Sequence, residues 1–334
     1  MIKGLGDMIS KPLQRYFAML ENFIFSVNAV VPIFIVMAIG YVIRMRGWTD
    51  TAANRRMNVI VFNLGLPVLL FRDVSRSNFD EFFDVSFVLY ALATTSLMFV
   101  LSLILANVYF KNRKVAGTFS QACFRSNYAI MGLPLAMHVL GDANTGVALL
   151  PIAFVVPIYN IFTSIALAGK EDEQLRGLMG LIIIVRNIFN PLMCGILIGL
   201  GVSLADITLP EMVNVPVNYI AVMTTPLALL TVGGNIDFSK MRSRYKPALA
   251  VAFVKLVIGP LIFVPVAVWL GFGPEAVLVL YLMHGTPTAI VTYALVCNMG
   301  GDEDLALNTI LFTMTFAVFT LTIGLFLMRT FGIL

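Results

Sequence analysis

The sequence predicts an all-α polytopic membrane protein with ten transmembrane helices, arranged as two inverted repeats of five. Hydrophobic residues make up 59% of the 334 residues and charged residues only 12%, whereas about a quarter of a soluble domain is charged. Apolar segments near the roughly 20 residues that cross a bilayer recur along the chain. Two of them, spans 4 and 9, are each interrupted by a Gly-x-Pro sequence at corresponding places in the two halves.

The chain divides into four parts. Residues 1–21 mix apolar and charged residues too closely to cross a bilayer, so we expect an interfacial amphipathic segment, with any helix starting after Pro12. The first five-helix repeat covers 22–168, a charged cytoplasmic linker covers 169–177, and the second repeat covers 178–334. The predicted spans are 22–43, 57–71, 84–110, 117–140, 144–168, 178–204, 212–236, 247–270, 274–299 and 304–328.

The loops alternate in positive charge. One side of the predicted membrane collects thirteen Lys and Arg residues: Arg44, Arg46, Arg55, Arg56, Lys111, Arg113, Lys114, Lys170, Arg176, Lys240, Arg242, Arg244 and Lys246. The other side has six: Lys3, Lys11, Arg15, Arg72, Arg76 and Arg329. Because cytoplasmic loops are enriched in Lys and Arg, we expect both termini outside the cytoplasm, in a bacterial inner membrane. No cleaved signal peptide is expected, since a basic region followed directly by an apolar core and a cleavage site is missing.

An internal repeat supports the division into halves. Four pairs of identical residues are separated by 159 positions and fall at the same places in equivalent segments: Pro32 and Pro191, Gly40 and Gly199, Pro67 and Pro226, Phe79 and Phe238. Because five spans is an odd number, the second half must lie inverted in the membrane. Inverted repeats with broken helices are typical of secondary transporters, whose binding sites lie at the breaks.

The two predicted breaks are Gly132-Leu133-Pro134 in span 4 and Gly285-Thr286-Pro287 in span 9. Backbone that is freed by Gly or Pro at membrane depth is tolerated only where protein or a watery cavity satisfies it. We therefore expect a binding site for a small solute beside both breaks.

Several function classes are disfavoured. None of the 18 Asp and Glu residues lies deep in a span, which argues against a cation exchanger with carboxylates in mid-membrane. No nucleotide-binding, zinc or serine-nucleophile motif stands in a suitable context, so we expect no enzyme activity, cofactor or metal. The Lys and Arg residues lie in short loops, as topology requires, and predict no nucleic-acid partner. The three cysteines lie in apolar runs and are expected to be packed thiols.

The ionisable residues within spans are basic. Arg186 is expected to reach the cytoplasmic interface. Arg125 either does the same or has a role in substrate binding or gating. Lys255 lies near mid-depth, where a substrate-binding role and a structural bond to freed carbonyls both stay open. His138 and His284 neighbour the two breaks. Positive charge beside the N-termini of half-helices favours an anionic solute.

Polar residues near the breaks complete the predicted site. Asn127 can donate to a carboxylate or satisfy orphaned carbonyls. Tyr159 and Asn160 place a phenol and an amide near the middle of span 5, although a buried Tyr commonly needs only a local partner. Asn63, before Gly65, and Thr286, inside the second break, extend the polar ring.

The order of these motifs resembles the auxin efflux carrier family, over essentially the whole chain from about residue 22. The motifs, in sequence order, are Pro32 with Gly40, Asn63-Leu64-Gly65-Leu66-Pro67, the run from Ser126 to Leu135, Val156-Pro157-Ile158-Tyr159-Asn160, Asn190-Pro191, Phe253-Val254-Lys255-Leu256 and Thr286-Pro287-Thr288-Ala289. The short linker differs from the long cytoplasmic loop of plant auxin carriers. The chain is therefore similar to bacterial members such as malonate or other carboxylate permeases.

The resemblance implies two broken helices that cross, a scaffold of spans 1–2 and 6–7, and a mobile transport domain of spans 3–5 and 8–10. It implies an elevator-type exchange of small organic anions, such as mono- or dicarboxylates, by a homodimer in membrane lipid. Asn127 matches the family's substrate-carboxylate asparagine, Pro134 and Pro287 match its crossing prolines, and Tyr159 with Asn160 match its polar site in span 5.

The sequence thus predicts a secondary transporter whose substrate-binding residues are Asn63, Asn127, Pro134, Tyr159, Asn160, Lys255, Thr286 and Pro287. Arg125, Gly132, His284 and Gly285 are predicted to act in gating or in a secondary role. Two alternatives stay open. One is a sodium-coupled symporter of the same fold, and the other is a membrane sensor that binds a ligand without transporting it.

Overall fold

The computed structural model describes residues 2–76, 83–141, 145–167, 191–236 and 244–334. The predicted linker 169–177, Arg186, and the pair Phe79 and Phe238 lie outside the described residues. The described helices are α1 (Ile2–Met45), α2 (Thr51–Ile60), α3 (Leu66–Arg76), α4 (Val85–Tyr109), α5 (Arg113–Phe124), α6 (Leu133–Leu140), α7 (Thr145–Leu167), α8 (Pro191–Leu204), α9 (Glu211–Gly234), α10 (Tyr245–Phe253), α11 (Gly259–Trp269), α12 (Pro274–Gly285), α13 (Val291–Asn298) and α14 (Glu303–Thr330). Single π-helical turns occupy Val61–Gly65 (π1), Tyr128–Gly132 (π2) and Val254–Ile258 (π3).

Within these ranges, seven continuous helices are long and apolar enough to cross a bilayer. They contain predicted spans 1, 2, 3, 5, 7, 8 and 10. Predicted spans 4 and 9 are each built from two shorter helices, and span 6 is described only from Pro191. An all-helical membrane protein is therefore confirmed, while the count of ten spans stays a prediction.

The first helix differs from the expectation for residues 1–21. It begins at Ile2 and continues through Pro12 to Met45, so the expected helix start after Pro12 is wrong. Proline removes one backbone donor and bends a helix without having to end it. At about 1.5 Å per residue the helix is about 66 Å long, roughly twice the ~30 Å hydrocarbon core of a bilayer. Part of α1 therefore lies outside the hydrocarbon.

Each π turn ends two residues before a proline: Pro67, Pro134 and Pro260. In each case the residue that follows the turn donates its N–H to a carbonyl five residues back, as Leu133 does to Tyr128. Proline lacks an N–H, and its ring meets the carbonyl of the preceding turn. A wider turn gives the ring room, and the helix continues past it.

The helices pack in two groups. In the first group, α1 packs along α9 and α3 packs along α8, while α9 also contacts α2 and α3. The second group contains α4, α5, α7, α10, α11, α12 and α14, with close pairs such as α4 with α5 and α10 with α14. The groups meet where α1 lies against α14. Spans 1, 2, 6 and 7 thus lie together, and the broken spans belong to the other group.

Glycines allow the closest contacts within the first group. Gly40 of α1 lies directly against the backbone carbonyl of Leu230 in α9. In the same way, a Cβ atom at Gly199 of α8 would lie 2.8 Å from the carbonyl oxygen of Phe71 in α3. Small residues at helix–helix contacts let membrane helices approach until their backbones touch.

Candidate functional site

Two short extended segments cross at the centre of the second group. Ser126, between α5 and π2, forms an antiparallel bridge with Thr288, between α12 and α13. The N–H of Asn127 donates to the carbonyl oxygen of Pro287 at 2.8 Å, and the N–H of Ala289 donates to that of Arg125 at 3.2 Å. We call these segments, Arg125–Asn127 and Thr286–Ile290, the crossing.

The crossing satisfies backbone groups that would otherwise be unpaired in mid-membrane. The helix α5 ends at Phe124 because Arg125 is extended (φ −79°, ψ 107°), and α12 ends at Gly285 because Thr286 is extended (φ −75°, ψ 155°). Thr288 adds two bonds, from its hydroxyl to the Ala122 carbonyl at 2.8 Å and from its N–H to the Thr313 hydroxyl at 3.1 Å. Non-helical backbone at this depth needs such partners.

The break in span 4 is displaced from its predicted position. The sequence predicts the break at Gly132-Leu133-Pro134, but the chain leaves α5 at Arg125–Asn127, and Pro134 lies in the first turn of α6. The reason is π2, whose wide turn lets the helix continue past Pro134. In span 9 the break contains Pro287, as predicted. Of the two prolines, the structure therefore brings only Pro287 into the crossing.

Asn127 has a buried amide nitrogen that lacks a partner. The residue is 3% exposed. Its backbone N–H binds Pro287 and its carbonyl accepts from the N–H of Met131, but its Nδ2 has no hydrogen-bond partner among the described residues. An amide nitrogen has two donors. Asn127 can therefore donate to a ligand without losing a bond.

Arg125 lies beside it, 6% exposed. Its guanidinium donates to the Asn160 side-chain oxygen at 2.9 Å and to the Thr163 hydroxyl at 3.2 Å, which joins the end of α5 to α7. Its Nε has no partner, and no carboxylate of the described residues pairs with it. The structure therefore brings two predicted residues, Arg125 and Asn160, into direct contact. It leaves the Nε–H donor of Arg125 without an acceptor.

Tyr159 also reaches the crossing. It is buried in α7, and its hydroxyl lies beside the Thr95 side chain and the backbone of Ser126. Its ring packs against Phe124, with the ring centroids 6.1 Å apart. The ring therefore forms a wall of the site.

Lys255 is among the most deeply buried side chains, with 1% exposure. It lies in π3, which packs against α5, α12 and α14. Its ammonium group is near the Cys123 thiol and the His284 ring. Since α5 and α12 are the helices that lead into the crossing, Lys255 places a basic group behind it.

The second broken span positions the remaining predicted residues. His284 is buried, and its Nε2 is hydrogen-bonded to Thr94 Oγ1 at 3.0 Å. Gly285 leaves room for Pro260, since a Cβ atom there would lie 3.3 Å from the proline ring. The Thr286 hydroxyl is hydrogen-bonded to that of Ser126. Of these three residues, Thr286 joins the two broken spans directly.

Gly132 has a comparable role in the first broken span. A side chain there would collide with the ring of Tyr128, whose hydroxyl donates to the Ala148 carbonyl at 2.8 Å. Gly132 therefore lets Tyr128 fold back and fasten π2 to α7.

Asn63 is not brought to the crossing. It lies in π1, is exposed, and donates to the Val59 carbonyl of its own helix at 2.9 Å. His138, in the last turn of α6, is also exposed. Both residues lie near a Gly-x-Pro sequence, but neither of them lies at the crossing.

The sequence reasoning missed Ser126 and Thr163. Ser126 begins the motif that ends at Leu135, and its hydroxyl and backbone join the two broken spans. Thr163 accepts from Arg125, one turn after Asn160 on α7. The available signal was the i, i+3 spacing of two polar residues on an apolar helix, which places them on one face.

The chemistry of the site is that of a hydrogen-bond donor. Asn127 Nδ2 and Arg125 Nε are donors without acceptors, Lys255 adds a buried basic amine, and no carboxylate of the described residues forms an ion pair with them. The described residues also hold no group of three or more His, Cys, Asp or Glu that could hold a metal ion. The arrangement can accept an anion that brings its own hydrogen-bond acceptors.

The chain matches a known family of membrane proteins over most of its length. Residues 25–325 match the family described as "Membrane transport protein". The chain belongs to this family. The match confirms the resemblance to the auxin efflux carriers, and it indicates a membrane transporter.

Two curated relatives cover nearly the whole membrane transport protein. It is 24% identical over 309 residues to the "Putative malonate transporter" of Rhizobium meliloti, a match that covers 90% of this chain and 95% of the relative. It is 21% identical over 289 residues to an "Uncharacterized transporter" of Methanothermobacter thermautotrophicus, covering 86% of this chain and 93% of the relative.

Proposed function

We propose that this protein is a secondary transporter of small organic anions, above all carboxylates, with its binding site at the crossing. The observation that carries the proposal is the pair of buried, unpaired donors, Asn127 Nδ2 and Arg125 Nε, in a region without a carboxylate among the described residues. An unsatisfied buried polar group costs about 1–3 kcal/mol. A bound carboxylate removes that cost, since it is an acceptor with about four lone-pair sites.

The helix ends at the crossing support an anion as well. The turn π2 begins directly after Asn127, and α13 begins directly after Ile290. Neither N-terminus has a side-chain cap. The N-terminus of a helix carries a partial positive charge of about half a unit, and discontinuous helices in transporters use such ends to bind substrate carboxylates. Lys255 adds a basic amine nearby, which carries a full positive charge when it is protonated.

The name of the Rhizobium meliloti relative supports a dicarboxylate. That protein is named for malonate, and it aligns with 90% of this chain. Malonate has two carboxylates, and the crossing has two unpaired donors plus the Lys255 ammonium. We therefore place malonate first among the ligands to be tested.

We also propose that the two packing groups move relative to each other in an elevator-type mechanism. The group of α1, α2, α3, α8 and α9 would be the scaffold, and the group that contains the crossing would carry the substrate. Gly40 against Leu230 and Gly199 against Phe71 are equivalent contacts, because residues 40 and 199, and also 71 and 230, differ by 159 positions. This equivalence supports an inverted five-plus-five repeat.

The proposed membrane setting follows the charge distribution. Both termini would lie outside the cytoplasm in a bacterial inner membrane, with lipid around the exposed apolar faces and a homodimer formed through the scaffold. A reporter fused after Leu334 that is active only in the periplasm tests the orientation. Activity of a cytoplasm-dependent reporter at that position would reverse it.

A thermal-shift screen of the purified protein against mono- and dicarboxylates and indole acids tests the proposed ligand class, because a ligand that binds only the folded state raises its apparent stability. The expected result is stabilisation by a carboxylate, followed by its uptake into vesicles containing the protein. Binding without flux would instead support a sensor, and no response to any anion would contradict the proposal.

Sodium coupling is a second candidate that one observation favours. Two fully buried oxygen atoms, Gln121 Oε1 and Thr292 Oγ1, have no partner among the described residues, and their helices α5 and α13 contact each other. Oxygen atoms without donors suit a hard cation. Replacement of Na⁺ by choline during uptake would abolish transport if Na⁺ is coupled, and would leave transport unchanged if it is not.

A further inference from the structure

Lys255 is a buried amine without a counter-ion. Only 1% of the residue is exposed, and neither of the ion pairs found among the described residues involves it. The transfer of an unpaired ammonium group from water to an apolar interior is so costly that such a group commonly gives up its proton. The charge on Lys255 therefore depends on whether an anion lies close to it.

Its surroundings place this amine close to the crossing. The Cys123 thiol and the His284 ring are its polar neighbours on α5 and α12. Cys123 precedes Ser126 by three residues, and His284 precedes Thr286 by two. At about 1.5 Å of rise per residue, both neighbours lie within about 5 Å of the crossing along their helix axes. An anion at the crossing would thus lie close enough to act on Lys255.

The titratable groups around Lys255 include no carboxylate among the described residues. At the crossing end of α5 they are Cys123 and then Arg125, whose guanidinium is bonded to α7, while Arg113 and Lys114 lie in the first turn of that helix. At the crossing end of α12 they are His284, bonded to Thr94, and Tyr281, which donates to the Thr320 carbonyl, while Glu275 lies in the first turn of that helix. The helix α11 and the part of α10 from Ala248 onward have none, and α14 has none between Leu305 and Met328.

We propose that Lys255 takes up one proton when a carboxylate binds at the crossing, so that the protein carries the anion together with H⁺. The inference rests on the proposed function. In the empty site Lys255 is a neutral amine. When the anion binds, the nitrogen lone pair accepts a proton from water, and the resulting ammonium balances the anion. When the anion leaves on the other side, the N–H bond breaks and the proton leaves with it.

The coupling follows from linkage. If the bound anion raises the proton affinity of the amine, protonation of the amine must raise the affinity for the anion by the same factor. Each carboxylate bound then takes up about one proton above the pH at which the empty amine titrates. In that range the Kd rises tenfold for each unit of pH. A monoanion with its proton moves no net charge, and a dianion moves one negative charge.

The test measures proton uptake when malonate binds to the full-length protein in detergent. Titration calorimetry at pH 8 in two buffers with different ionisation enthalpies gives the number of protons taken up per malonate. Malonate keeps both negative charges at this pH and contributes no proton change itself. The expected value approaches one, and the Kd is expected to rise up to tenfold from pH 8 to pH 9.

Two variants separate proton binding from folding. In Lys255→Arg the charge is permanent, so malonate should bind without proton uptake and with a Kd independent of pH. In Lys255→Met the proton uptake should be lost and the Kd raised at least tenfold. Cys123→Ala removes the neighbouring thiol as a matched control and should leave proton uptake unchanged.

The outcomes distinguish the two proposals. Malonate binding without proton uptake in the wild type, or uptake that persists in Lys255→Arg, overturns the role of Lys255 and leaves the proposed function standing. Loss of uptake in Cys123→Ala while malonate still binds assigns the proton to the thiol and also overturns it. Failure of malonate to bind at any pH overturns malonate as the substrate and the inference with it.

Discussion

Ser126 and Thr288 face each other as a non-hydrogen-bonded pair of an antiparallel bridge, since both backbone bonds of the bridge are made by their neighbours. In such pairs the Cα atoms are about 4.5 Å apart. The two residues are 162 positions apart in the chain, yet they are the point where both broken spans are fixed to each other. A stable crossing is what keeps the unpaired donors of Asn127 and Arg125 at fixed positions.

The pairing of Ser126 with Thr288 predicts that cysteines introduced at these two positions form a disulfide. With Cys123, Cys194 and Cys297 replaced by Ala, the double variant Ser126→Cys/Thr288→Cys should crosslink under a mild membrane-permeant oxidant, because disulfides span Cα distances of about 4.4–6.8 Å. Cleavage of the chain between the two positions followed by non-reducing electrophoresis detects the bond. A control with Thr309→Cys in place of Thr288→Cys should stay uncrosslinked, and equal crosslinking of both pairs would contradict the bridge.

Replacement of Asn127 tests the donor that carries the proposed function. Asn127→Ala should weaken carboxylate binding about 10- to 150-fold, since a hydrogen bond to a charged group contributes about 1.5–3 kcal/mol. Folding should persist, because the amide nitrogen has no partner to lose. The measurement is the carboxylate-induced thermal shift, with Asn107→Ala as the control.

The control removes an exposed amide bonded to its own helix at 2.8 Å and should leave the shift intact. Wild-type binding by Asn127→Ala would exclude Asn127 from the site.

The contact of Arg125 with Asn160 predicts energetic coupling between α5 and α7. Arg125→Gln and Asn160→Ala should each destabilise the protein, and the double variant should lose less than the sum, by about 0.5–3 kcal/mol. The free energy of unfolding of the wild type, both single variants and the double variant is measured in mixed detergent at several temperatures, which completes the double-mutant cycle. Strict additivity would show that the 2.9 Å bond contributes nothing to stability.

Two glycines of α8 predict opposite responses to alanine. Gly199→Ala places a Cβ atom 2.8 Å from the Phe71 carbonyl oxygen, so α3 and α8 must separate, at a cost of about 1–3 kcal/mol. Gly201→Ala meets no atom within 4 Å and should stabilise the helix by up to about 1 kcal/mol. Thermal unfolding of both variants checks the pair, and a similar response at both sites would contradict the close contact.

The sequence identified the components of the site better than its position. Asn127, Arg125 and Lys255 stand out because polar and charged residues are rare in apolar spans, and all three are buried near the crossing. Asn63 was grouped with them from its nearby Gly-x-Pro sequence, and the structure leaves it exposed. The break was assigned to Pro134, whereas π2 carries the helix past that proline and the chain opens at Arg125.

Local pattern alone determined that this chain is a helical membrane protein, because the length and hydropathy of a span depend only on neighbours in sequence. The helix caps are local in the same way, as where Asp50 accepts from the N–H of Ala53. Only the tertiary structure decided that Ser126 meets Thr288, that Arg125 meets Asn160, and that Lys255 lies behind the crossing. The first two relations join residues 162 and 35 positions apart. All three depend on how helices distant in sequence pack, and the bridge also depends on which backbone groups remain unpaired after every helix has formed.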